Sequence, residues 1–214
     1  MLVLHTYFRS SAAYRVRIAL ALKGLAYQSV PVHLLRGGGE QHTAAFAALN
    51  PAELVPVLVD GAVTLTQSLP IIEYLDELHP APPLLPADAA GRARVRALAQ
   101  LIACEMHPLN NLRVLQYLEG PLGVDAKAKS AWYAHWIALG FQALEAMLQH
   151  SRTGAFCHGD TPTLADCCLV PQIYNAERFR VPMQDYPHVR SIGASCLALA
   201  AFAQAAPQAQ ADAT

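Results

Sequence analysis

The 214-residue sequence is poor in charge: Asp, Glu, Lys and Arg together make up 14%, against about a quarter in an ordinary globular domain. Fifteen Lys and Arg oppose sixteen Asp and Glu, for a net charge of −1, and no run of like charges occurs. Neutralising phosphates requires a basic stripe, so a nucleic-acid partner is excluded. Long hydrophobic runs are missing too. The longest uncharged apolar stretch, 191–203, is well short of the ~20 residues that cross a bilayer, so no membrane partner is expected. The opening MLVLHTYFRS has no basic segment ahead of its apolar residues and no cleavage motif after them, which argues against a secretory leader. The five cysteines (Cys104, Cys157, Cys167, Cys168, Cys196) are odd in number and form no C-x-x-C pair. They read as free, mostly buried thiols of a cytoplasmic protein, and no metal site is expected.

What is abundant is apolar, at 54% and largely alanine, which points to close helix packing. The length allows one large or two small domains and buries a core without disulfide or metal staples. Only 205–214 (AAPQAQADAT) has little to bury and is expected as a flexible tail.

Two halves differ in pattern. LVLHTYF alternates like a strand, SAAYRVRIALALKG has helical spacing with a glycine stop, and AYQSVPVHL is a second strand. Strand–helix–strand implies a right-handed parallel crossover. RGGGEQ reads as a flexible loop and 42–49 as a short helix. VPVLVD and AVTLT flank Asp60-Gly61, a hairpin signal, and QSLPIIEYLDEL is a further helix. The order βαβ, α, ββα fills 1–80, a proline-rich linker 81–88 follows, and 89–204 is helical throughout, at 89–118, 125–149, 163–175 and 189–203. A small α/β domain thus precedes an all-helical one, an order that does not fix function.

Three places in the first half suit chemistry. At Arg9-Ser10-Ser11 a hydroxyl stands at a helix N-terminus, where backbone N–H groups and the dipole favour an anion. Ser10 or Ser11 is either an ordinary N-cap or a donor to a thiolate held there. Val55-Pro56 opens a strand with a residue that lacks a ladder donor; trans is the ordinary isomer, and a cis bond would turn the Val55 backbone outward. At Gln67-Ser68 another helix begins, with Ser68 as its cap and free N–H groups suited to a carboxylate. In the second half, Thr163 and Asp166 form a capping box, a folding element. Arg15 and Arg17 read as surface or ion-pair residues, Arg180 as exposed, and Tyr7 and Tyr14 as packing residues. Arg178 is either paired with Glu177 or free for an anion. His107 and Asn111 are four apart and share a helix face if Pro108 does not disturb it.

Together these segments resemble the glutathione transferases, and most closely the zeta class of maleylacetoacetate and maleylpyruvate isomerases. The resemblance runs through YFRSSAAYRVRIALALKG, FAALNPAELVPVL, QSLPIIEYLDE, HPLNNLRVL, GDTPTLADCCLVPQ and NAERFRV, and covers nearly the whole chain. It implies a thioredoxin-like domain followed by an all-α domain, a homodimer, and glutathione as the cofactor. Glutathione would meet Gln67 and Ser68 at its γ-glutamyl end, the Val55-Pro56 backbone along its cysteinyl part, Gln41 near its glycyl end, and Asn111. Ser10, with Ser11 beside it, would face the sulfur. Arg9 would stand next to that sulfur, and His107, Arg113 and Arg178 would hold the carboxylates of a small dicarboxylate substrate. The family's Ser-Ser-Cys run reads Ser10-Ser11-Ala12 here, so any role for a protein thiol at that position is absent.

The implied activity is glutathione-dependent cis–trans isomerisation of maleylacetoacetate to fumarylacetoacetate. Reversible thiolate addition makes the conjugated double bond single, so that it can turn. Alternatives are maleylpyruvate isomerisation in gentisate breakdown, glutathione-dependent α-haloacid dehalogenation or transfer, and a non-catalytic module of the same fold.

Overall fold

The computed structural model describes residues 1–213. They form two compact units, one of Met1–Leu84 together with the segment from Ala198 onward, the other Leu85–Leu197.

The first unit is built on a four-stranded sheet of β1 (Leu2–Thr6), β2 (Tyr27–Pro31), β3 (Val57–Asp60) and β4 (Val63–Thr66), in the order β2-β1-β3-β4. β1 and β2 are parallel, joined by α1 (Ser11–Leu22), as the strand–helix–strand pattern requires. β3 and β4 form the expected hairpin, with Asp60 opposite Val63 and Gly61 at φ +57. α2 (Ala44–Leu49) and α3 (Ser68–Leu78) complete it. Tyr7, Phe8, Val32, Phe46, Val55 and Val57 form one apolar cluster on this sheet. The stretch after β2, expected as a flexible loop, instead holds two single turns at Arg36–Gly38 and Glu40–His42. Glu40 holds it, its carboxylate accepting from His33 N–H at 2.7 Å and its own N–H reaching the His33 carbonyl at 2.9 Å.

Three further expectations for this unit are corrected. Arg15 and Arg17 are buried, not surface residues. Arg17 donates to four oxygens: Thr6 Oγ1 and the carbonyls of Tyr7, Phe8 and Ala205. The region 205–213 is no free tail. α9 (Ala200–Ala205) buries Phe202 completely, and Ala205, Ala206 and Pro207 are buried with it. Burying one such aromatic is worth about 2–3 kcal/mol, and the Tyr14 hydroxyl and Arg17 donate to the Phe202 and Ala205 carbonyls. The helical stretch expected to end near 204 therefore divides, into α8 (Pro187–Leu197) in the second unit and α9 in the first.

The second unit contains α4 (Ala89–Gln100), α5 (Leu112–Glu119), α6 (Ala126–Leu148), α7 (Leu164–Arg178) and α8. The helix expected over 89–118 is broken: a π-turn spans Leu101–Met106, a single 3₁₀ turn Pro108–Asn110, and Asn111 begins a new helix. Pro108 has no N–H to continue the ladder. Met106 is buried against Gly140 of α6, where an added Cβ would stand 2.3 Å from Met106 Cγ. No described helix is long and apolar enough to cross a membrane. Four cysteines are buried and Cys104 is exposed.

The capping box is present. Asp166, fully buried, accepts from Thr163 N–H at 2.7 Å, Thr163 Oγ1 at 2.8 Å and Cys157 N–H at 2.9 Å. Burial pushes its carboxyl up, against the pull of those hydrogen bonds. Burial likewise drives the Cys157 thiol well above the ordinary range, so it is packing, not a nucleophile. Asp166→Ala strands two buried N–H donors and is expected to cost about 3 kcal/mol. Urea unfolding checks this; a loss below about 1 kcal/mol would contradict the assigned bonds.

Candidate active site

Sheet register decides which predicted residues meet. His5 pairs with Val57, Val57 with Thr66, and Thr6 with Pro31. The loop after β1, the entrance to β3, the exit of β4 and the loop after β2 therefore leave the sheet at one end. Arg9 and Ser10, Val55 and Pro56, Gln67 and Ser68, and Gln41 lie on these four segments.

Ser10 is the N-cap of α1. Its backbone is extended (φ −68, ψ 116), and its hydroxyl oxygen accepts from Ala13 N–H at 3.2 Å. A hydroxyl has one proton to donate besides its acceptor lone pairs, so this cap leaves the Ser10 O–H proton available. Ser11, the first helical residue, is buried. Arg9 is exposed, its guanidinium 4.8 Å from the Phe8 ring centroid. The N-terminus of α1 favours an anion, and Arg9 directly precedes it in the chain.

The Val55-Pro56 bond is cis, the less common of the two isomers open to the sequence. At α3 the expected cap is displaced by one residue. Gln67, not Ser68, is the N-cap, at φ +68 and with no side-chain hydrogen bond to the helix. Ser68 is the first helical residue, buried, and its hydroxyl accepts from Arg15 Nη1 at 3.2 Å. The reason is that a left-handed residue turns the chain sharply enough to enter the helix one position earlier. That conformation costs a non-glycine residue roughly 1–2 kcal/mol, and such strain concentrates where a side chain must be held in place.

Gln41 is buried; its Nε2 meets His42 Nε2 at 3.0 Å and the Leu34 carbonyl at 3.4 Å, while Oε1 is a buried acceptor with no partner. His42 Nδ1 in turn meets Glu53 Oε2 at 2.5 Å. The sequence does not single out His42 and Glu53, and Arg15 reads there only as a surface or ion-pair residue. Their roles depend on which loops meet, and no local pattern marks them.

In the second unit, His107 follows the π-turn, its N–H bonded to the Ile102 carbonyl at 2.9 Å. The shared helix face expected for His107 and Asn111 does not exist, because the helix ends between them. Asn111 is the N-cap of α5, its side-chain oxygen accepting from Arg113 N–H at 3.2 Å. Arg113 is exposed. Trp132 Nε1 donates to the Leu109 carbonyl at 2.8 Å and Asn110 Nδ2 to the Tyr133 carbonyl at 3.1 Å, fastening this segment to α6. Tyr133 stacks on Phe179 with centroids 3.5 Å apart, and the Arg178 guanidinium lies 5.2 Å from the same Phe179 ring. One turn of α6 thus holds Leu109 and Asn110 and stacks on Phe179, the residue after Arg178. Burial pushes the Tyr133 phenol up, with Arg178 opposing, so Tyr133 stays protonated.

Residues 4–83 match the family model described as the glutathione S-transferase N-terminal domain, and residues 130–191 match that of the C-terminal domain. A probable maleylacetoacetate isomerase of Vibrio cholerae is 58% identical over 212 residues, covering 99% of this chain and 98% of its own. A holo structure of maleyl pyruvate isomerase, a bacterial glutathione S-transferase of the zeta class, superposes with a TM-score of 0.96 at 50% identity, covering 99% of this chain and 100% of its own. A maleylacetoacetate isomerase from Anaeromyxobacter dehalogenans, with dicarboxyethyl glutathione and citrate in its active site, gives a TM-score of 0.87 at 44% identity, covering 100% and 98%.

Gln67→Gly removes the side chain while relieving its left-handed strain. Stability to urea is expected to hold or to rise by about 1 kcal/mol. A clear loss would mean that the Gln67 side chain is kept for packing.

Proposed function

The chain belongs to the glutathione S-transferase family, in its zeta class, and from that premise we propose that it is a glutathione-dependent isomerase that turns maleylacetoacetate into fumarylacetoacetate. The observation that carries the reading is Ser10, which caps α1 through its oxygen and keeps a proton to donate beside a helix N-terminus.

The residues present fit glutathione. Gln41 Oε1 is a buried acceptor without a partner, the Gln67 side chain makes no bond to the helix it caps, and the Ser10 proton is spare. When bound, glutathione supplies the thiolate that adds to the conjugated double bond and departs once that bond has turned. We assign Ser10 to donate toward the sulfur, with Ser11 and the first turn of α1 adding to the positive potential. Lowering a thiol pKa by two units requires ~2.7 kcal/mol of preference for thiolate, within reach of one charge-assisted hydrogen bond and a helix terminus. Gln67 and Ser68 are assigned to the γ-glutamyl end, the Val55-Pro56 backbone to the cysteinyl part, Gln41 to the glycyl end, and the Asn111 amide to a further polar contact. Arg9, His107, Arg113 and Arg178 are assigned to the substrate's carboxylates and to charge developing on its carbonyl; a guanidinium fork binds a carboxylate bidentately and stays charged. Ala12 supplies no thiol, so the chemistry rests on the cofactor's sulfur alone. A cytoplasmic homodimer is part of the same proposal.

Maleylpyruvate is the second substrate to be weighed, because the structure that superposes at a TM-score of 0.96 is of an enzyme named for it. Ultraviolet-monitored isomerisation of both acids, with and without glutathione, tests the reading. Loss of the cis acid that requires glutathione without consuming it is expected, and the ratio of kcat/KM values names the substrate. A stable thioether product would replace isomerisation with dehalogenation or transfer chemistry, and glutathione binding with no turnover of any of these acids would overturn the enzyme assignment.

Ser10→Ala is expected to lower kcat by about 10–100-fold and Ser11→Ala by less; equal losses, or the reverse order, would remove Ser10 from the sulfur. Arg178→Ala is expected to raise KM for the dicarboxylate about tenfold with glutathione affinity nearly unchanged. A collapse of glutathione affinity would refute its carboxylate role.

A further inference from the structure

The segment from Ala198 onward packs within the first unit and reaches the loop that carries Arg9 and Ser10. The Asp212 carboxylate accepts from Phe8 N–H at 3.0 Å. The Phe8 carbonyl accepts from Arg17 Nη2 at 3.0 Å, and the Tyr7 carbonyl from Arg17 Nη1 at 3.3 Å. Arg17 Nε donates to the Ala205 carbonyl at 3.0 Å, so the same guanidinium ties the returning segment to the loop. Both polar groups of the Phe8 backbone are therefore held by side chains, one of them 204 positions away in sequence. What Phe8 carries is the proposed chemistry. Its ring lies against the Arg9 guanidinium, and the preceding carbonyl, that of Tyr7, accepts from Ser10 N–H at 2.9 Å to close the turn that presents Ser10.

We infer that Asp212 is a positioning residue for Arg9 and Ser10: its carboxylate fixes the Phe8 peptide, and through it the turn that aims the Ser10 hydroxyl at the cofactor's sulfur. The inference rests on the functional reading above, in which Ser10 faces that sulfur. Sequence separation hides the contact completely, since Asp212 lies in a stretch whose composition reads as a tail. Distortions of about an ångström at a catalytic group can cost roughly 10²-fold in rate, so a single peptide anchor is enough to matter.

Charge and position have opposite signatures here. Asp212 acts electrostatically on Arg17 and Tyr27 in the same region. Deleting a nearby negative charge, by itself, favours the thiolate and lowers a bound thiol's pKa. Loosening the Ser10 turn weakens a thiolate hydrogen bond and raises it. The test is a titration of glutathione bound to the full-length protein, followed by thiolate ultraviolet absorbance, for wild type, Asp212→Ala and Asp212→Asn. Glutathione affinity, kcat and thermal midpoint are measured alongside. In Asp212→Ala the bound thiol pKa is expected to rise by about half a unit or more, and kcat to fall about fivefold, with the dicarboxylate KM and the thermal midpoint nearly unchanged. Asp212→Asn, which keeps an acceptor oxygen at the same reach without the charge, is expected to restore most of both. A thiol pKa unchanged or lowered in Asp212→Ala would overturn the inference, as would an Asn variant as impaired as the Ala variant. Wild-type protein that fails to bind glutathione, or leaves its thiol at the ordinary value of about 8.5, would instead overturn the functional reading, and the inference with it.

Discussion

A guanidinium taken almost wholly out of water sits where the first unit's elements converge. Arg17, 1% exposed, is held by four oxygens: the Thr6 hydroxyl and the carbonyls of Tyr7, Phe8 and Ala205. Burial lowers its pKa to about 10, which leaves it charged at neutral pH. A charge in that position demands every one of its acceptors, because stranding a buried ion costs several kcal/mol. The requirement reaches three elements at once: the end of β1, the turn into α1, and the close of α9. Lysine would not meet it, since an ammonium directs three donors from one point while the guanidinium spreads five over a planar fork.

The site follows from this convergence and from the sheet. His5, Val57 and Thr66 lie side by side across three strands, with Thr6 beside Pro31 on the fourth. Whatever follows β1, β2 and β4, or precedes β3, must then emerge at one end. The fold supplies proximity among residues up to sixty positions apart, and the loops supply chemistry. Buried aromatic and aliphatic side chains beneath them, Tyr7, Phe8, Val55 and Val57 among them, make that end rigid enough to hold hydrogen-bonding groups in place.

What was legible in the sequence was local. Strand alternation, the Asp60-Gly61 hairpin, the Thr163–Asp166 capping box and the glycine after α1 each act within a few residues, and each is present. Of the site, the two serine-bearing helix starts could be read because capping chemistry is local as well. The misreadings share a cause. The apolar period continues through 101–118, so beyond Pro108 nothing local marks the break, and the π-turn carries Met106 onto Gly140 of α6. Ser68 resembles a cap in sequence, and only the left-handed Gln67 shifts the helix start. Arg15 and Arg17 look like surface residues until the partners that bury them, Ser68 and Ala205, arrive from distant segments. Residues 205–213 are too polar and too small-sided to announce a docking surface, and their order comes from groups contributed by the first twenty residues.

Capping and function need not compete for the same side chain. At Ser10 and at Asn111 the helix takes an oxygen: Ser10 Oγ accepts from Ala13 N–H and Asn111 Oδ1 from Arg113 N–H. In both residues the atoms left over are donors, a hydroxyl proton in one and an amide NH₂ in the other. A cap made by Ser or Asn therefore occupies acceptor capacity and leaves the side chain's donors free at a helix end that already carries partial positive charge. An anion is the ligand such an arrangement selects. Thiolate and carboxylate are the anions that the proposed reaction brings, and Arg9, next to Ser10 in the chain, and Arg113, two residues after Asn111, add full positive charge at exposed positions. In the proposed assignment Ser10 and Asn111 thus offer polarity that the structural bond leaves them, and replacing either by a residue unable to cap removes both.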